Sequence, residues 1–160
     1  KDRVIRKIYL AILRGEWTAR EGTINLSIGR SVHNRKRWMV RTDALGRESL
    51  TTYKILEEFE GYSFAEIQPR TGRTHQIRVH MAYIRHPLAG DPTYGGRLRL
   101  PAGASPALQQ QLQGFRRQAL HARRLGFVHP LRGDWVEWER EEPTDMNDLL
   151  EALRGDAGND

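Results

Sequence analysis

Apolar positions along the chain switch between two periods. From Arg3 to Leu13, Ile5, Ile8, Leu10 and Ile12 are apolar and mostly β-branched, and Arg14-Gly15 breaks the run, so a strand is predicted there. Gly22 to Arg41 is rich in Gly and Arg without a sustained period. It reads as a long basic excursion with one short strand around Trp38 to Val40. Ser49 to Phe59 and Tyr62 to Gln68 both alternate, and Glu60-Gly61 between them predicts a hairpin. The period then changes. Within RTHQIRVHMAYI, Ile77, Met81 and Ile84 recur at i, i+4 and i+7, one helical face, with Thr71 as the predicted N-cap and Pro87 as the stop.

Residues Leu88 to Ser105 hold most of the remaining Gly and Pro and read as a loop, followed by a short helix from Pro106 to Phe115. Leu120 to Val128 and Trp135 to Trp138 read as two strands joined by a Pro130 to Gly133 turn. Asp145 to Arg154 reads as a closing amphipathic helix with an acidic first turn, which suits the helix dipole. Five or six strands, mostly neighbours in sequence, with two or three helices define an α+β class. The expected architecture is a mixed, mainly antiparallel sheet flanked by helices.

Length and composition narrow the function. At 160 residues the chain suits one domain or a piece of one, and no run approaches the roughly 18 apolar residues of a spanning helix. The start, KDRVIRKIYL, is not a signal peptide, so a soluble cytoplasmic location is the expectation, with no membrane partner. The absence of Cys excludes disulfide scaffolds, zinc ribbons, iron–sulfur sites and thiol catalysis. Charge is uneven. Lys1 to Gly133 carries 24 basic and 10 acidic residues, net +14, and Asp134 to Asp160 is net −8. A basic body of this kind suits a polyanion, and equally a solvated basic surface.

His75 and His80 lie five apart, about 140° around a helix, so they do not share a face as metal ligands would, and no metal site is expected. No Walker loop, dinucleotide fingerprint or G-x-S-x-G elbow occurs. The informative run is PRTGRTHQIRVHM, Pro69 to Met81, a turn feeding a helix whose start carries Arg73, His75, Gln76 and Arg78. Such a start favours anions. Arg78, between Ile77 and Val79, is expected to be partly buried and therefore to need a carboxylate partner. Arg30, Arg35, Lys36, Arg37 and Arg41 cluster with Trp38, a mixture that suits phosphate contact plus base stacking, or else a solvated loop.

Four runs in this order resemble the RluA/RluC/RluD family of RNA pseudouridine synthases. They are RKIYLAI (Arg6 to Ile12), RTGRTHQIRVHM (Arg70 to Met81), HPLAGDPTYGG (His86 to Gly96) and QALHARRLGFVHP (Gln118 to Pro130). PAGAS at Pro101 to Ser105, with the closing Trp138-Glu139 and Asp145-Met146, is similar to the RluD-like branch that modifies large-subunit ribosomal RNA. The resemblance implies isomerisation of a flipped-out uridine in ribosomal RNA, without metal or organic cofactor. It implies Tyr9 and Arg78 as catalytic residues, with Ile77, Arg73, His75 and Gln76 binding the substrate. Arg30, Arg35, Lys36, Arg37, Trp38 and Arg41 would contact the RNA.

The family's nucleophilic aspartate lies in an R-L-D motif ahead of the tyrosine segment, and no R-L-D occurs in these 160 residues. Residues 1–154 are therefore expected to form the C-terminal half of a catalytic domain and 155–160 an acidic tail. Arg78 would face the missing aspartate, and the chain by itself would be inactive. Asp91 reads as an Asx-turn former. The alternative is a non-catalytic RNA-binding protein on the same half-domain.

Overall fold

The structure is a computed structural model that describes residues 5–158. Arg3 and Val4, assigned above to the first strand, lie outside the described residues. Eleven elements follow in order: β1 (Ile5–Arg14), β2 (Glu21–Asn25), β3 (Ile28–Arg30), β4 (Trp38–Val40), β5 (Leu50–Glu58), β6 (Tyr62–Pro69), α1 (Gln76–Tyr83), α2 (Pro106–Gly114), β7 (Leu120–Val128), β8 (Trp135–Glu139) and α3 (Thr144–Ala157). Six strands form one sheet in the order β2-β5-β6-β1-β7-β8, and β3 and β4 form a separate hairpin. Every ladder among the described residues is antiparallel.

β1 lies inside the sheet, between β6 and β7, and its sequence explains why. Leu10, Ala11, Ile12 and Leu13 are all buried, because both faces of the strand are covered. Leu10 and Ile12 pack with Tyr62 and Phe64 beneath α2 and α3. Ala11 and Leu13 face the other way, with Ala65 and Ile67, beneath Ile77 and Met81 of α1. Successive side chains point to opposite faces, so a strand buried on both sides reads as a continuous apolar run.

The helices carry matching stripes. In α3, Met146, Leu149, Leu150 and Leu153 are buried at i, i+3, i+4 and i+7. In α2, Leu108 and Leu112 face inward, Pro106 occupies the first turn, and Ser105 Oγ accepts from Leu108 N at 3.1 Å, a side-chain N-cap.

Three expectations are corrected. The basic excursion contains two further strands, β2 and β3. Glu21–Asn25 has an exposed edge and a single buried side chain, Ile24, too weak a pattern to signal a strand by itself. α3 continues past Arg154 to Ala157, so the first residues of the expected acidic tail are helical. There, Asp156 accepts from Ser105 N–H at 2.8 Å and Ser105 Oγ–H at 2.5 Å, tying α3 to the start of α2. Lastly, α1 begins at Gln76, five residues after Thr71.

Candidate active site

Between β6 and α1 the chain makes a hydrogen-bonded loop in place of the expected extra helical turn. Thr71 caps no helix. Its hydroxyl accepts from Leu50 N–H at 3.0 Å and donates to Gln76 Oε1 at 2.7 Å. Gln76 Oε1 also accepts from Arg73 N–H, and Gln76 Nε2 donates to Leu50 O and Thr51 Oγ1, each at 2.9 Å. The amide is buried and fully engaged. Gln76 thus clasps the loop and also lines the cavity beside it. His75, at φ 55°, turns the chain into α1 in the left-handed region, and no side chain caps the helix. Arg73 and His75 thus precede the helix, where a helical start was expected to carry them.

The loop walls a cavity of about 210 Å³, lined by Tyr9 from β1, Ile77 and Arg78 from α1, His75, Arg73 and Leu120 among others. Ordinary small-molecule sites enclose about 300–1,000 Å³, so this one suits a single planar base better than an extended cofactor. The β1–β7 register slips between Ile8 and Tyr9, and such bulges re-aim the side chain beside them. Burial raises the Tyr9 phenol above its ordinary range. Its hydroxyl has no partner among the described residues, and Tyr9 lines the cavity.

Arg78 finds a carboxylate within this chain: Nε and Nη2 each donate to Asp91 at 2.9 Å, a bidentate fork. The Asp91 side chain is fully buried and that of Arg78 12% exposed. Asp91 Oδ1 also accepts from Thr93 N–H and Tyr94 N–H, the Asx turn expected of it. Burial pushes the Asp91 carboxyl up, but Arg78 and the two backbone donors outweigh it and hold it below the carboxylate range. Asp91 does not line this cavity. The third Arg78 nitrogen, Nη1, has no hydrogen-bond partner among the described residues, and Arg78 lines the cavity. No carboxylate lines this cavity among the described residues.

Tyr94 joins the pocket to the basic hairpin, and sequence reasoning missed it. Its hydroxyl accepts from Trp38 N–H at 3.0 Å and lies 2.9 Å from His75 Nδ1, to which it can donate. Its ring carries Arg78 at 5.1 Å and Arg37 at 5.9 Å. Burial, then the Arg78 charge, lower the His75 imidazole below its usual range, with Asp91 opposing, so the neutral acceptor form is the one held. An aromatic just after an Asx-turn aspartate in a Gly-rich loop was the available signal.

In the hairpin, Arg30 lies 4.8 Å over the Trp38 ring and donates to Arg35 O, leaving the exposed Arg35 and Lys36 at the tip. Arg41 forks onto Asp43 (Nε 3.1 Å, Nη2 2.5 Å) and donates to Arg30 O from Nη1, bracing the hairpin. Asp43 is equally engaged and does not line the cavity.

This fold, with a cavity between a tyrosine strand and an Ile-Arg helix start, is that of a pseudouridylate synthase domain. The solved human RNA Pseudouridylate Synthase Domain Containing 1 matches at TM-score 0.69 and 28% identity, over 94% of this chain and 66% of that one. The human Domain Containing 4 protein shares the fold at TM-score 0.71 and 23% identity, over 94% of this chain and 62% of that one. The chain belongs to the RNA pseudouridylate synthase family, whose profile matches residues 1–83, and within it to the RluA/RluD group. It is 46% identical over 156 residues to ribosomal large subunit pseudouridine synthase D of Vibrio parahaemolyticus, covering 98% of this chain and 47% of the relative. The Escherichia coli K12 protein of that name is 46% identical over 154 residues, 96% of this chain and 46% of the relative. The chain thus spans about half the length of the curated relatives it matches.

Proposed function

We propose that the chain supplies the base-binding and arginine side of an RNA pseudouridine synthase acting on large-subunit ribosomal RNA in the cytoplasm. The supporting observation is the 210 Å³ cavity, which brings together Tyr9, Ile77 and Arg78. A uridine flipped from its stack enters it, with the uracil between Tyr9 and Ile77. The N1–C1′ bond breaks, the uracil turns, C5 bonds to C1′, and the C5 proton leaves as N1 gains one. Tyr9 is suited to move that proton, because its phenol, protonated at neutral pH, can give its own proton to N1 and take up the one leaving C5. Arg78 holds the reacting carboxylate through Nη1 while Asp91 fixes the guanidinium from behind. That carboxylate comes from outside the described residues, so residues 1–154 act as one part of a catalytic domain. Arg73 and His75 line the entrance.

The test is tritium release from [5-³H]uridine-labelled large-subunit RNA, using the longest polypeptide the gene encodes. Tritium should be released. Tyr9→Phe should bind RNA normally and turn over about 10²-fold more slowly. Arg78→Lys should retain only part of the activity, because the fork is lost. RNA binding without any release would assign the chain to the non-catalytic alternative.

A further inference from the structure

A second cavity, of about 400 Å³, opens on the other side of the Arg78–Asp91 pair: Arg78 lines the base pocket and Asp91 lines this one. Its floor includes Tyr62, Leu112 and Phe115, and Arg14, Arg97 and Arg116 also line it. Arg14 leaves the end of the same strand that carries Tyr9, and its Nη1 donates to Arg97 O at 2.5 Å, clipping the Gly-rich loop over the cleft.

These three arginines belong to the unbridged set. Arg117, Arg123, Arg124 and Arg132 are each bridged to a carboxylate of the C-terminal segment. Arg14, Arg97 and Arg116 have no carboxylate within 4.0 Å among the described residues. The one acid lining the cleft, Asp91, is neutralised from behind by Arg78. The cleft therefore combines three uncompensated guanidinium groups with an apolar, partly aromatic floor. Phosphate on the arginines with a base or ribose on the floor fits that combination, whereas a bare anion would leave the floor unused.

We infer that this cleft binds a nucleotide of single-stranded RNA flanking the modified uridine, its phosphate held by Arg14, Arg97 and Arg116. The inference rests on the proposed function, because the strand that delivers a base to the pocket must continue past the Arg78–Asp91 wall.

The experiment measures RNA affinity against salt for the wild-type protein and Arg97→Gln/Arg116→Gln. Both positions are exposed, so the fold should persist, as far-UV circular dichroism would register. Loss of this single-strand phosphate contact should lower the log–log salt slope by about 0.7. An unchanged slope overturns the inference. In a second arm, RNA carrying 4-thiouridine beside the target should cross-link to peptides containing Tyr62 or Phe115. Excess unlabelled RNA should abolish that cross-link and inorganic phosphate at equal phosphate concentration should not. Equal competition by phosphate would make the cleft a general anion site and overturn the assignment to RNA. Normal tritium release alongside an unchanged slope would sink the cleft alone, and wild-type protein that binds no RNA would sink both readings.

Discussion

Single residues here are defined by what occupies their polar atoms. Arg78 and Asp91 form the only ion pair with a fully buried carboxylate among the described residues. Removing one partner leaves a buried charge uncompensated. Asp91→Ala should cost about 3–5 kcal/mol in urea unfolding, and adding Arg78→Ala should cost far less than its own single effect. Tyr94 is a positioning residue, since it acts on the pocket through His75 and Arg78. Tyr94→Phe keeps the ring under Arg78 and loses the bonds to Trp38 and His75. We expect kcat to fall by about tenfold, equivalent to ~1.4 kcal/mol of lost positioning, with the RNA dissociation constant nearly unchanged. A purely structural Tyr94 would lower Tm and leave kcat alone.

Elements are joined by a directed chain of hydrogen bonds beneath the pocket. Thr71 donates to Gln76, Gln76 to Thr51, Thr51 to His80 Nδ1 at 2.8 Å, and His80 Nε2–H to Leu26 O at 2.8 Å. The chain fastens α1 to β5 and to the β2–β3 connection, and it requires neutral His80. Burial lowers that imidazole, against a smaller opposing effect of the Leu26 carbonyl. The folded pKa therefore lies below the unfolded value of about 6.5, so the unfolded chain binds the extra proton. Stability from His80 is fully present above pH ~6.5 and lost as pH falls through the folded pKa. Urea midpoints between pH 7.5 and 5 should show this fall, and His80→Gln, less stable throughout, should show a flatter profile across that window.

Across the whole molecule, the acidic C-terminal segment folds back upon part of the basic body. Asp134, Glu139, Glu142 and Asp145 bridge Arg132, Arg124, Arg123 and Arg117. Exposed pairs of this kind contribute about 0–1 kcal/mol each, so their main effect is to remove cations from the exposed set. Among the described residues, cations without bridges include those at the β3–β4 tip, at the cavity lined by Tyr9 and Ile77, and at the second cleft. No described helix is long and apolar enough to cross a membrane. Neutralising Arg35, Lys36 and Arg37 to Gln should flatten the salt dependence of RNA binding by about 2 in log–log slope. An unaltered slope would show a merely solvated tip.

The amino-acid sequence determined by itself what local periodicity can carry. The β5–β6 hairpin with its Glu60-Gly61 turn, the buried face of Ile77 and Met81, the Pro106 helix and the β7–β8 pair all follow from spacing and turn chemistry, because each is settled by neighbours within a few residues. The four motifs also identified the family and brought Tyr9, Ile77 and Arg78 forward. Tertiary structure decided whatever depended on distant partners. Thr71 met Leu50, so the helix began at Gln76. β2 became a strand because β5 offered it an edge. Arg78 found Asp91 thirteen residues away, and Arg41 turned inward onto Asp43 and Arg30. A side chain's chemistry is fixed by its type, but whether it remains free for a ligand depends on which donors and acceptors the folded backbone brings within about 3 Å of it.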